Sequence, residues 1–579
     1  MANSNADNMI LDFSVLKKAK KQIDTSWKEV RVAILGDHAT QFIKEALIGY
    51  GAVNKLNYNV YEAEYSQIDQ EILDGDSELY QFNPEIVIVT NSVYKLEQSF
   101  HFSSSKHTFS AQYLNKVEGW LEALKGRTKA KVILSTLPEL PDATFGNYAA
   151  KVDVSFLFQL RNINLELMKL SQVNGNLFIC DVAALFSLYG QQFAKSPQMY
   201  INADMIFSLD FIPVFTKQIN DIILAVSGRF KKCLILDLDN TTWGGIIGDD
   251  GLENIKIGDL GIGKAFTKLQ TWAKALKERG VILCICSKND EANAKEPFEK
   301  HPDMVLRLED ISVFVANWEN KASNIRNIQE ILNIGFDSMV FLDDNPFERN
   351  LVRQEIPDVT VPELPEDPAE YLDYLLTLNL FETASYSEND KDRTKQYQLE
   401  AERVSSQAKF ANIDDYLASL EMVSDVKNVD AFSLPRVAQL TQRSNQFNLR
   451  TQRYTDEDLK SMIDSGSYLA LSYTLVDKYG DNGLISAIVL KKEKDFMFVD
   501  TWIMSCRVLK RTMEPFVLNS IVEIAKKEGY SKLVGEYLPT AKNGMVKDHY
   551  KNFGFIENEG KWELDLNNFQ ALKCFITAK

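Results

Sequence analysis

Short, continuous apolar runs recur along the first two thirds of the chain. Each ends in a polar cluster, and segments with helical spacing separate them. Arg31-Val-Ala-Ile-Leu-Gly-Asp-His, Ile86-Val-Ile-Val-Thr-Asn, Lys131-Val-Ile-Leu-Ser-Thr-Leu-Pro and Leu177-Phe-Ile-Cys-Asp read as buried strands, and Phe42 to Leu47 opens a helix. This alternation predicts a three-layer α/β domain over 28–228, preceded by a polar arm, 1–27, with one short helical stretch. A second series starts at Cys233-Leu-Ile-Leu, which runs into Asp237-Leu-Asp-Asn-Thr-Thr-Trp-Gly-Gly. A glycine-rich turn region at 243–251 predicts a small β-flap. A helix follows from about Gly263, with Ala265, Leu269, Trp272 and Leu276 inward and Gly280 as its stop. The strand Val281-Ile-Leu-Cys-Ile-Cys ends at Ser287. A helix opens at Lys321 with Ile325, Ile328 and Leu332 inward, and Met339-Val-Phe-Leu runs into Asp343-Asp344. These elements predict a second α/β domain over 229–362. Residues 363–430 read as a charged helical connector and 431–579 as an α+β domain.

Composition adds bounds. The chain has 579 residues, too many for one core, with 45% hydrophobic and 25% charged residues, as in ordinary globular protein. A net charge of −17 argues against nucleic-acid and acidic-membrane partners. Six scattered cysteines with no metal or disulfide spacing fit a reducing cytoplasm. The amino terminus lacks a basic start followed by an apolar core. No apolar run reaches the roughly 18 residues of a membrane helix.

The chemistry gathers at three strand ends of the second domain. Parallel strands bring Asp237 and Asp239, then Ser287, then Asp343 and Asp344 to one edge of a sheet, with Lys321 at a helix start between the second and third. Carboxylates so placed repel one another unless a cation neutralises them, and carboxylate oxygens suit Mg²⁺. Lys321 and Ser287 are the types that hold phosphate oxygens, leaving a carboxylate to attack phosphorus. About 45 residues separate the first motif from Ser287 and about 33 separate Ser287 from Lys321. Neither interval holds a cap domain, so the open site suits a large substrate or needs a neighbouring domain as its lid.

Asp237-Leu-Asp-Asn-Thr, Ser287, Lys321 and Asp343-Asp344 resemble, in order and on the expected elements, the four motifs of the haloacid dehalogenase superfamily. That resemblance implies catalysis by Asp237 as nucleophile and Asp239 as acid and base, with Thr241, Ser287 and Lys321 in support. It implies a Mg²⁺ site of Asp237, Asp239, Asp343 and Asp344, with Asp239 lending its backbone carbonyl. Trp243-Gly-Gly-Ile-Ile-Gly-Asp-Asp-Gly, Ala316-Asn-Trp-Glu-Asn-Lys, Phe341-Leu-Asp-Asp-Asn-Pro-Phe-Glu-Arg, Ser444-Asn-Gln-Phe-Asn-Leu and Ser505-Cys-Arg-Val-Leu narrow it to FkbH-like proteins of subfamily IIIC. The best-known members load a glyceryl group from 1,3-bisphosphoglycerate onto an acyl carrier protein through a cysteine between the motif aspartates, and others are described only as phosphatases; here that position is Leu238. The N-terminal domain resembles SGNH hydrolases, but His38 stands where their nucleophilic serine would follow Gly36-Asp37, so a non-catalytic role is expected. The C-terminal domain resembles N-acetyltransferases. That likeness implies coenzyme A or a phosphopantetheine arm near Arg507, Lys510, Arg511 and Tyr550.

The expectation is therefore an α/β multidomain, cytoplasmic, Mg²⁺-dependent phosphatase or phosphotransferase fused to an acyltransferase-like domain. Its phosphorylated small-molecule substrate would belong to polysaccharide or secondary-metabolite biosynthesis. The alternatives are glyceryl transfer to an acyl carrier protein, with Cys506 or no enzyme thiol in the missing cysteine's role, and a non-catalytic scaffold.

Overall fold

Five strands open the structure, a computed structural model that describes residues 10–387, 390–407, 410–540 and 542–579. They are β1 (Glu29–Gly36), β2 (Asn57–Glu62), β3 (Ile86–Thr90), β4 (Lys131–Ser135) and β5 (Leu177–Cys180). All are parallel, in the order β2-β1-β3-β4-β5. Ala33, Leu35, Val87, Val89, Val132 and Leu134 pack with the helices Phe109–Arg127 and Phe156–Val173, while Val32, Ile34 and Ile88 are buried too. Burial on both faces is why these strands read as unbroken apolar runs. Strand β2, Asn-Tyr-Asn-Val-Tyr-Glu, lies outside the anticipated elements; it is an edge strand and half polar. Leu16, in the arm's helix Phe13–Ala19, is buried against Gly49. The chain divides into a unit Met1–Ala225, which holds this sheet, and a unit Val226–Lys579.

The second unit begins with β6 (Cys233–Leu236), β7 (Ile282–Ser287), β8 (Val313–Ala316) and β9 (Met339–Leu342), all parallel in the order β8-β7-β6-β9. Leu236 pairs with both Ile285 and Leu342, so the carboxyl ends of β6, β7 and β9 lie level. The helix Gly263–Glu278 covers one face, and Lys321–Leu332 covers the other. Gly280, at φ +91°, ends the first helix as expected. Two local expectations need correction. The buried stripe of Gly263–Glu278 is Phe266, Leu269, Gln270, Ala273 and Leu276; Ala265 and Trp272 sit at its margin. Residues 243–251 form no hairpin flap: single bridges join Asp239 to Trp243 and Gly244 to Lys256, and Ile247–Asp250 is a short helix.

The remaining strands are β10 (Met422–Ser424), β11 (Val426–Asn428), β12 (Tyr468–Asp477), β13 (Gly480–Lys492), β14 (Met497–Met504), β15 (Lys532–Gly535), β16 (Ile556–Asn558), β17 (Lys561–Asp565) and β18 (Ile576–Ala578). They form one mixed sheet, in which β14–β15 and β10–β18 are parallel. Strands β14 and β15 pair only over Met497–Val499 and then part. The segment 447–449 fills the opening: Met504 N donates to Phe447 O, Asn448 bridges Ile503, and Leu538 N donates to Leu449 O at 2.9 Å. The helix Arg393–Gln407 joins this sheet to the four-stranded parallel one. Its Tyr397 is buried with Val313, Ile325 and Ile328, and its Arg403 pairs with Asp477 at 2.9 Å.

Candidate active site

The three level strand ends place Asp237, Ser287 and Asp343 together, and Lys321 enters from the first turn of its helix. Ligand atoms of Asp237, Asp343 and Asp344 all lie within 4.8 Å of one another. Lys321, 3% exposed, sets its Nζ 2.8 Å from Asp237 Oδ1 and 2.5 Å from Asp343 Oδ2. Burial works against the charge of Lys321, but the Asp237 and Asp343 carboxylates outweigh it and hold its pKa above the ordinary range. Burial, then the charge of Asp237, pushes Asp343 up to about 7 and raises Asp344. One lysine thus offsets only part of a three-carboxylate charge. A divalent cation would supply the rest, and the oxygen-only donor set fits a hard ion.

Asp239 takes a different position from the trio. Its Oδ1 accepts from Trp243 Nε1 and from Ile247 N, each at 3.0 Å, and its Oδ2 accepts from Asn289 Nδ2 at 3.0 Å. Burial raises its pKa. Its side chain stands apart from the grouped carboxylates. Thr241 Oγ1 accepts from Asp344 N at 2.9 Å and ties the first motif to the fourth. Ser287 is buried at its strand end, and among the described residues its hydroxyl has no hydrogen-bond partner. Trp243 is fully buried and packs on Phe298, while Asp249 and Asp250 are surface residues, Asp250 capping Ile246 N.

Arg349 was not singled out as functional, although it lies in the Phe341–Arg349 stretch. Buried, it donates to the carbonyls of Asp343 at 2.8 Å and Asp344 at 2.6 Å and pairs with Glu363. It fixes the loop that carries two of the three grouped carboxylates. Thr242 likewise donates to Asp237 O at 2.5 Å, and Gln270 Nε2 to Thr242 O at 2.8 Å.

The four residues expected to hold coenzyme A are placed as follows. Arg511 is paired with Glu400 and Asp477, Lys510 is exposed, and Tyr550 is buried against Phe555 and Trp562. Arg507 is buried and bonds Gln396 and the Asn482 carbonyl. His38 is buried between Thr90 Oγ1 and the Ala39 carbonyl, and burial lowers its pKa to about 4.

A parallel sheet with an aspartate pair just after its first strand, a lysine on the crossover helix before its fourth and two aspartates just after that fourth strand is the arrangement expected of a phosphatase of haloacid dehalogenase type. Residues 31–224 match the N-terminal domain of FkbH. The crystal structure of the N-terminal part of the protein BF1531 from Bacteroides fragilis contains a phosphatase domain complexed with Mg; it is 52% identical, with a TM-score of 0.63 over 65% of this chain and 100% of that one. The chain belongs to the FkbH-like family of these phosphatases. The ribosomal-protein-S18-alanine N-acetyltransferase of Escherichia coli matches 25% of this chain and 94% of its own, at 14% identity and a TM-score of 0.20. Spermidine N-acetyltransferase from Vibrio cholerae matches 25% and 96%, at 10% identity and 0.21. No curated protein matches the chain significantly. Among the described residues no helix is long and apolar enough to cross a membrane.

Proposed function

We propose that this chain is a Mg²⁺-dependent phosphohydrolase of subfamily IIIC acting through an aspartyl-phosphate on Asp237. The observation that carries this reading is the grouping of Asp237, Asp343 and Asp344 within 4.8 Å beside Lys321. The Mg in the half-identical Bacteroides fragilis structure supports the choice of ion. Mg²⁺ held by that trio would supply positive charge to the phosphoryl oxygens. The side chains do the rest. Asp237 attacks phosphorus, and the P–O bond to the leaving alcohol breaks. Asp239, its pKa raised by burial, hands its proton to the departing oxygen. It then takes a proton from the water that hydrolyses the aspartyl-phosphate, which releases inorganic phosphate and restores Asp237. Lys321 and Ser287 hold the non-bridging oxygens.

The substrate is a phosphorylated small molecule that reaches an uncapped site. Glyceryl loading through a local thioester finds no thiol to use. Leu238 is fully buried, Cys233 and Cys284 lie buried 3.8 Å apart, and burial pushes the thiol of Cys286 far up. A phosphatase panel with Mg²⁺ tests the reading. Asp237→Asn is expected to lose at least about 10³-fold in turnover, since nucleophile removal leaves only binding and charge stabilisation. Retained turnover in that variant overturns it. Mass spectrometry after incubation with 1,3-bisphosphoglycerate and an acyl carrier protein should show no glyceryl adduct.

A further inference from the structure

A cavity of about 420 Å³ lies in the seam between the phosphatase sheet and the C-terminal sheet, within the unit Val226–Lys579. That volume is in the range of small-molecule sites. Six cations line it: Lys232, Arg393, Arg436, Arg443, Arg507 and Lys542. Their carboxylate partners are few. Arg393 and Arg443 share Asp390, each at 2.6 Å, and Lys542 pairs with Asp337. Among the described residues, Lys232, Arg436 and Arg507 have no carboxylate ion pair. The Lys232 ammonium donates to the Arg443 carbonyl at 3.1 Å, Arg436 to the Gln439 amide oxygen, and Arg507 to Gln396 and Ser505. Asp358 is the further carboxylate on the wall, and it is exposed.

Desolvated like charges around one void are costly unless an opposite charge enters. The electrostatics agree with the geometry. Burial lowers Lys232 to about 8, and burial followed by the neighbouring guanidiniums pulls Arg436 and Arg443 below their ordinary range. The guanidiniums offer the planar forks that match phosphate oxygens. Lys232 immediately precedes β6, whereas Asp237 follows it. Five residues of extended chain put the cavity about 16 Å behind the nucleophile, at the opposite ends of the strands.

We propose that this seam cavity is a second ligand site, specific for a small phosphorylated molecule carrying at least two negative charges and separate from the phosphatase centre. Its occupant would clip the phosphatase sheet to the C-terminal sheet, because its cations come from both: Lys232 from the first, Arg436, Arg443, Arg507 and Lys542 from the second. Nothing at this site removes the phosphate, since none of the grouped carboxylates faces it.

Pyrophosphate serves as the probe, with EDTA present and ionic strength matched by NaCl. The full chain is expected to bind it saturably and to melt at a higher temperature. Asp237→Asn should bind as well as the parent. Arg436→Gln should bind about tenfold more weakly, the loss of one charge-assisted contact, while its phosphatase activity stays intact. Without pyrophosphate Arg436→Gln should melt no lower than the parent, since it removes a like charge from a crowded set; Arg436→Lys should retain binding. Cys506 lines the cavity and is partly exposed, as is Cys574 elsewhere. Pyrophosphate should slow alkylation of Cys506, mapped by mass spectrometry, and leave Cys574 unchanged. Three results would each overturn the proposal: no saturable binding at millimolar pyrophosphate, binding lost in Asp237→Asn, or undiminished binding in Arg436→Gln.

Discussion

At the scale of the residue, the site depends on how one ammonium serves two carboxylates. Lys321 touches Asp237 and Asp343 while almost fully buried. Replacing it with Met leaves those carboxylates facing each other without a counter-charge. Lys321→Met should therefore lose about 10²-fold or more in phosphate release, as for a removed charge-stabilising donor, and fold less stably without metal; a melt with and without Mg²⁺ reads the difference. Asp239→Asn tests the proton-transfer role. It should keep the ion-binding trio, so Mg²⁺ titration is unchanged, while turnover falls by about 10²- to 10⁴-fold. The residues of this site were legible because each motif side chain ends a parallel strand or starts a crossover helix, and the sheet does the rest. Arg349 was less legible. It acts on carbonyls of the loop it follows, through a guanidinium that a sequence shows only as one more helix charge.

At the scale of the element, most apolar runs buried on both faces announced themselves; the four-residue β8, Val313–Ala316, and the half-polar β2 did not. Strand β2 was missed because an edge strand can leave alternate positions to water, and Asn57, Asn59 and Glu62 break its run. The region 243–251 resolved into a short helix because Asp250 closes back on Ile246 N, which a glycine count cannot foresee. The helix Arg393–Gln407 read as a bland connector, yet its Tyr397 completes the phosphatase core. Tyr397→Ala should cost about 3 kcal/mol, the usual loss for a large buried aromatic. Chemical denaturation should show that cost together with looser packing between the two sheets of the second unit.

At the scale of the whole molecule, one buried histidine in each unit contributes stability that acid removes. His38 in the first and His549 in the second are buried, and burial lowers their pKa values to about 4 and about 3. An unfolded histidine titrates near 6.5, so between that value and its folded pKa the unfolded chain binds the extra proton. Stability is fully present above pH 6.5 and falls by up to about 1.4 kcal/mol per pH unit for each histidine on the way down. Melts of His549→Gln from pH 7 to pH 4 should show a shallower decline than the parent in the transition of the second unit. The seam cavity belongs to this scale as well. Its six cations run from residue 232 to residue 542 and share no motif, so only the folded chain collects them.

Leu238 carries a consequence for engineering. It lies between the two aspartates that do the chemistry, yet its side chain sits with Leu234, Leu236, Trp243 and Ile247 in the core and has no exposed surface. A thiol placed there would face packed hydrocarbon rather than a substrate. Leu238→Cys should then fold with a modest deficit and stay inert to alkylating agents in the native state. Giving this scaffold an acyl-carrying group would require turning the backbone of the loop, not changing a single letter.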